Sequence, residues 1–268
     1  MTETAQRLGV IPGLREDRYH ADPTSVSASG MKTLLRSPAH FLYERTHPKT
    51  SDAMDLGTVV HAMVLGTGAS YVAVEGNRNR NDVKAAIAEA EAEGKVVLKP
   101  EQLETAQRMA DAVLTHETAG KLLAGDGDAE LSMFFHDTEF DVTRRCRWDW
   151  LSAGGVGVDL KTTKDANPKW LGKTVAEYSY DLSGAWYLDV AAGLEVDVAA
   201  YALVFVESAP PHPVVVAELD ADFIDIGARK TRRALETYRR CLDTGEWPGY
   251  LPDDQYTTIY PPAWAQEN

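Results

Sequence analysis

Cysteine is almost missing from this chain: Cys146 and Cys241 are its only two thiols in 268 residues. One pair cannot build the multi-bridge frameworks that staple small secreted domains. Nor can it supply the three or four clustered ligands of a structural zinc or iron–sulfur site. Both cysteines read as small, buried residues. Long apolar runs are missing too. No stretch approaches the ~18 residues needed to cross a bilayer, so no membrane span is expected. The opening stretch MTETAQRLGVIPGLRED has no basic segment followed by an apolar one; it is not a secretory signal, and a cytoplasmic location is expected. There is no G-x-x-x-x-G-K-[ST] loop for nucleotide-driven work and no G-x-S-x-G elbow for acyl transfer. Basic residues are the scarcer charges, 27 against 41 acids, for a formal net charge of −14. Taken as a total, that opposes binding to a polyanion.

What is present points elsewhere. Hydrophobic residues make up 44% of the chain, enough to bury a sizeable core. The charge is also unevenly spread. Residues 82–130 hold eleven acids and five bases, whereas 142–173 hold seven bases and three acids, and 222–240 are net +3. An acidic exterior with a basic inner face would suit a protein that encloses DNA; ordinary solvated charge is the alternative reading of the same counts.

Residues 1–24 are polar with scattered Pro and Gly, and read as an arm before a single domain, 25–268. Ser27 and Ser29 lead into GMKTLLRS as a capped helix, and Pro38 opens a second, AHFLYER. THPKTSD (46–52) reads as a loop. AMDLGTVVHAMVLG (53–66) has helical spacing and sets His61 on one face with Gly57. VKAAIAEAEAEG (83–94) and residues 100–125 are Ala/Glu-rich helices. The pattern then changes to alternation in ELSMFFH (130–136) and EFDVTRRCRWDWL (139–151), with a turn at Asp137–Thr138 between them. SAGG (152–155) is a second turn, and VGVDLKTT (156–163) a third strand. Helices are expected near 168–177 and 181–193, strands at 198–207 and 213–220, and a long basic amphipathic helix at 223–245. This order predicts a helical region (25–128) ahead of an α/β core (129–268).

Asp159 and Lys161 are two apart on a strand and so share a face, while Leu160 turns its side chain to the other. If Ala153–Gly155 form a three-residue loop, Ser152 pairs with Val156, and Asp149 falls opposite Asp159 with Cβ atoms roughly 5 Å apart. A four-residue loop would put the two acids on opposite faces. Carboxylates that close repel unless a cation lies between them, and hard oxygen ligands favour Mg2+ or Mn2+. An adjacent lysine adds positive charge where a phosphoryl transition state is negative. D-x-K by itself is common, and a surface ion pair on a hairpin is the plain alternative.

Five blocks in order make the pattern more specific: SASGMKTLLRSPAHF, LGTVVHAMVLG, RCRWDWL, GVDLKTTKDA and YDLSGAWYLD, with Glu130 before the first core strand. Together, from about Tyr19 to Asp189, they resemble the PD-(D/E)XK nucleases, and more closely the RecE-type exonucleases of phages and prophages (exodeoxyribonuclease VIII). The resemblance implies a restriction-endonuclease-like core, a mixed central sheet flanked by helices, with an N-terminal helical elaboration. It implies an active site of Asp149, Asp159 and Lys161. Two metal ions would be held by Asp149, Asp159, the Leu160 carbonyl, His61 and Glu130. The substrate would be the ends of linear duplex DNA in a bacterial host cell, digested 5′→3′ by a ring-shaped homo-oligomer with a RecT-type single-strand annealing partner. Arg144, Arg145 and Arg147 are expected to track the DNA backbone, Ser183 and Tyr187 to look into the cleft, and Ser29 with Lys32 to meet a terminal phosphate. Two departures stand out. Asp159 occupies a position more often held by Glu, and Ser183 one usually held by Gln. The alternatives left open are an endonuclease on the same core and an inactive DNA-binding clamp.

Overall fold

The computed structural model describes residues 8–47, 51–251, 255–262 and 265. Parts of the expected arm (1–7) and of the expected loop (48–50) lie outside the described residues. In chain order the elements are β1 (Gly9–Ile11), α1 (Glu16–His20), β2 (Ser25–Ser27), α2 (Ala28–Arg36), α3 (Pro38–Glu44), α4 (Asp52–Leu65), β3 (Tyr71–Ala73), α5 (Asn81–Ala92), β4 (Val96–Leu98), α6 (Pro100–Thr115), α7 (Glu117–Ala124), β5 (Gly127–Asp137), β6 (Val142–Ser152), β7 (Val156–Thr163), α8 (Pro168–Glu177), α9 (Tyr180–Gly193), β8 (Ala200–Glu207), β9 (Val214–Glu218) and α10 (Ala221–Thr244).

Local chemistry sets the ends of these elements. Ser27, Ser37 and Asn167 each accept a backbone N–H at the start of their helices, and Asp220 does the same for α10. Gly245 closes α10 in the left-handed conformation. Two expectations are corrected here. The stretch read as a polar arm is built into the fold where it is described: β1 pairs antiparallel with β5, and Tyr19 of α1 is buried. Backbone pairing to the β5 edge and burial of Tyr19 hold it there, while Leu8 and Val10 stay exposed. The helix expected over 100–125 breaks at His116, whose ring caps α7 by accepting the Ala119 N–H.

The main sheet runs β1-β5-β6-β7-β8-β9, with β2 paired to β6 off that path. It is mixed: β5–β6, β6–β7 and β8–β9 are antiparallel, β2–β6 and β7–β8 parallel. Helices cover both faces. α2, α8, α9 and α10 pack on one, over Met133, Cys146, Trp148, Leu203 and Phe205. α4, α6 and α7 pack on the other, over Val158, Leu160, Val204 and Val206. Each fully buried aliphatic or aromatic side chain of this kind contributes about 1.5–3 kcal/mol. Both cysteines are buried and free.

One edge of β6 is shared. β2 pairs with it from Thr143 to Arg145, and β7 pairs with it from Trp150. The interval between these two neighbours is an opening in the sheet, entered by the N-terminus of α2 on one side and by α4 on the other.

Candidate active site

The β6–β7 register is the one the three-residue loop requires: Trp150 pairs with Val158 and Leu151 with Gly157. Continued one step, it sets Asp149 across from Asp159. The ladder itself stops there, because the Asp149 carboxylate takes the place of a backbone acceptor. Its Oδ2 receives the Leu160 N–H at 2.7 Å. On the other side of β6, the β5 ladder skips the Glu130–Asp149 step, and Glu130 has a left-handed backbone, φ 53°. For a residue with a long side chain that conformation is strained, at a cost of about 1–3 kcal/mol. The distortion changes the side-chain alternation of β6. Trp148 and Leu151 pack in one layer and Trp150 in the other, with Asp149 at the crossover.

Asp159 is buried. The Lys161 ammonium contacts its Oδ1, and the Tyr201 hydroxyl donates to its Oδ2. Burial alone would depress Lys161, but the carboxylates of Asp159 and Asp149 outweigh it and hold the ammonium above its ordinary range. Burial likewise opposes ionisation of Asp149. His61, 3.4 Å away through Nδ1, together with Lys161 and the Leu160 N–H, overcomes that and brings Asp149 down to about 2. The same pair pushes His61 upward against its own desolvation. Glu130 is raised, first by burial and then by the charge of Asp149, although Arg147 pairs with it at 2.9 Å. Lys32 lies on the far side of Lys161. Both ammoniums sit against the Tyr180 ring, at 5.1 and 5.3 Å from its centre. Burial and then the Lys161 charge bring Lys32 down to about 7.

The residues therefore gather in two groups. Asp149, Asp159, Lys161, His61 and, beyond Asp149, Glu130 converge on the sheet opening; Lys32 and Tyr180 close it from the α2 side. Among the described residues, no three His, Cys, Asp or Glu side chains stand within ligating distance of one point, because Lys161 and Tyr201 hold Asp159. The donor chemistry nevertheless fits a hard divalent cation. Two carboxylates on adjacent strands adjoin the Leu160 peptide, and hard oxygen donors of this kind suit Mg2+ or Mn2+.

The arginines differ from expectation. Arg144 is buried, ion-paired to Asp137 and Asp189, and stacked on Trp186. Arg145 donates to the Asp22 and Ser25 carbonyls and to the Ser25 hydroxyl. Arg147 is held by Glu130, Ser132 and the Leu14 carbonyl. All three are spent inside the fold, binding β6 to α9 and to the N-terminal segment, and none presents a guanidinium to a duplex. Ser183 is buried. Tyr187 is half-buried, edge-on to Trp148 and Tyr201, so it backs the tyrosine that holds Asp159 and lines no open cleft. Ser29 is exposed, with its hydroxyl 3.0 Å from that of Ser27. Tyr201 and Tyr180 are contributors that motif reading passed over. A lone hydroxyl in the otherwise apolar run VAAYALVFV (198–206), two positions from the residue paired with Asp159, was the available signal for Tyr201.

Residues 27–257 match the family model described as a PDDEXK-like domain of unknown function (DUF3799). The chain belongs to this family. Its PDDEXK-like fold is shared with a protein from Eubacterium rectale described as a candidate exonuclease. That crystal structure is 15% identical, covers 95% of this chain and 97% of its own, and superposes with a TM-score of 0.66. A phage-related exonuclease from Haemophilus somnus 129PT is 13% identical over 83% of this chain and 96% of its own, with a TM-score of 0.36; that likeness is too loose to bear on the fold. A search of curated protein sequences gave no match.

Proposed function

We propose that this PDDEXK-like protein is a Mg2+-dependent exodeoxyribonuclease that resects the ends of linear duplex DNA in the 5′→3′ direction. The observation that carries the reading is the convergence of Asp149 and Asp159 across the β6–β7 register, with the Lys161 ammonium on Asp159. Charged groups brought together with shifted proton affinities, as Asp149 and Lys161 are, mark a candidate functional site. Asp149, Asp159 and the Leu160 carbonyl would hold one Mg2+ or Mn2+, with His61 and Glu130 beside a second. Metal of this kind supplies Lewis acidity and lowers the pKa of an attacking water.

The chain's own residues do the rest. Lys161, kept protonated by its carboxylate neighbours, donates from Nζ to the phosphoryl oxygens as negative charge builds on them. Tyr201 fixes the rotamer of Asp159. His61 holds Asp149 from α4. Ser29 and Lys32, in the first half of α2, would meet a terminal phosphate, which favours an end over an internal position. Work as a ring around DNA, beside a RecT-type annealing partner, completes the reading and would reconcile the net charge of −14 with a DNA substrate.

Duplex labelled at either the 5′ or the 3′ end, incubated with and without Mg2+ beside a covalently closed circle, tests it. The reading expects Mg2+-dependent release of label from the 5′ end first and an intact circle. Cutting of the circle would replace it with an endonuclease on the same core. No digestion in Mg2+ or Mn2+ would leave a DNA-binding clamp.

A further inference from the structure

Outside the site, one strongly charged surface remains without a use. On α10, Arg229, Arg233 and Arg240 recur at helical spacing along one exposed face. α10 packs against α2, which carries the half-buried Lys32 and the exposed Arg36. The two helices run side by side. Lys230 reaches the buried Asp181 at the start of α9, next to Tyr180 and Lys32. At their other ends, Ser37 after α2 meets the Pro248 carbonyl just past α10. Among the described residues, no carboxylate pairs with Lys32, Arg36, Arg229, Arg233 or Arg240. The opposite flank of α10 is different. Arg232 is paired to Glu139 and Glu236, and Arg239 to Asp141 and Asp243. In a chain with fourteen more acids than bases, a row of exposed arginines without ion pairs, beside a row that is fully paired, marks a surface that meets external negative charge.

We propose that the α2–α10 face is a phosphate track, a second surface that binds the sugar–phosphate backbone of the DNA strand running out of the hydrolytic site. Residues four apart on a helix are about 6 Å apart along its axis, and Arg229 to Arg240 spans about 16 Å. That covers about five phosphates of one strand of a duplex. The track begins beside the Tyr180 ring that Lys32 and Lys161 share, and continues over Arg36 and the arginines of α10. Guanidiniums on an exposed helix flank give affinity and direction, with no reading of sequence. The inference rests on the nuclease reading for the location of the site.

The test is the affinity of a fluorescent blunt duplex in Ca2+ across a salt series. It compares wild type, Arg229→Gln/Arg233→Gln and a control of equal charge change on the paired flank, Arg232→Gln/Arg239→Gln. The track variant should bind about tenfold more weakly at physiological salt, and its slope of log affinity against log salt should be shallower by about 2, one per lost phosphate contact. The control should match wild type. Arg36→Gln, on the other helix, should reduce the slope by about 1. A track variant that matches wild type in both affinity and slope, with unchanged circular dichroism, overturns the proposal. So does equal weakening in track variant and control. Mg2+-dependent digestion by wild type is scored separately: digestion without a track effect removes the track and leaves the nuclease, and a track effect without digestion does the reverse.

Discussion

Asp159 is held at both carboxylate oxygens, by the Lys161 ammonium and by the Tyr201 hydroxyl. The Tyr201 contact is a hydrogen bond to a charged group, worth about 1.5–3 kcal/mol. Tyr201→Phe should therefore lower the single-turnover cleavage rate about tenfold with DNA affinity unchanged, as rapid-quench kinetics would show; an unaltered rate would mean that Asp159 is placed without it. Lys32 gives a pH signature. Its folded pKa of about 7 lies below its ordinary 10.5, so between those values the unfolded chain holds more protons than the folded one. Stability from this group then rises with pH, and the penalty of burying the ammonium is full below about pH 7. Lys32→Met should raise the Tm most at pH 6, with the gain shrinking as pH approaches 10. A gain independent of pH would contradict this. Arg144→Ala should cost roughly 3 kcal/mol in urea unfolding, because Asp137 loses its buried partner, and should leave the salt dependence of DNA binding unchanged. The placement of that arginine was not legible in the sequence. Its partners Asp137 and Asp189 and the Trp186 ring come from other elements, and a strand rich in Arg reads the same whether the guanidiniums face solvent or the interior.

Elements were more legible than their uses. The acids of β6 and β7 could be aligned from the sequence because the loop between the strands is short, and a turn of known length fixes register. The caps at Ser27 and Asn167 and the proline starts at Pro38 and Pro168 were equally local signals. β1 and α1 were not legible. Three residues of strand and five of helix have no periodicity to detect, and they are held by the edge of β5. The break of the β6 alternation at Asp149 was hidden for a similar reason, since it depends on Glu130 taking a left-handed backbone on a neighbouring strand. Close approach of elements sets further limits. A Cβ on Gly227 would lie 2.0 Å from the Asp181 carbonyl oxygen, where α10 crosses the start of α9. Gly227→Val should destabilise the protein by about 3 kcal/mol or more by forcing these helices apart. It should also weaken DNA binding by shifting the arginines of α10 away from the site. A variant with wild-type unfolding and affinity would refute the crossing as described.

At the scale of the whole molecule, the two helical layers meet at one opening in the sheet, where β2 ends and β7 begins on the same edge of β6. α4 brings His61 from one layer; α2 and α9 bring Lys32 and Tyr180 from the other. The site therefore exists only when both layers are docked, and its residues come from sequence blocks spread over most of the chain. The account rests on Asp149 and Asp159 acting together on a divalent ion. Calorimetric titration of Mn2+ into wild type and into Asp159→Asn tests this most directly. The account predicts a saturable heat in wild type, with affinity at least tenfold weaker in the variant and DNA cleavage lost in parallel. Equal Mn2+ affinity in the two proteins, or full cleavage by Asp159→Asn, would contradict it.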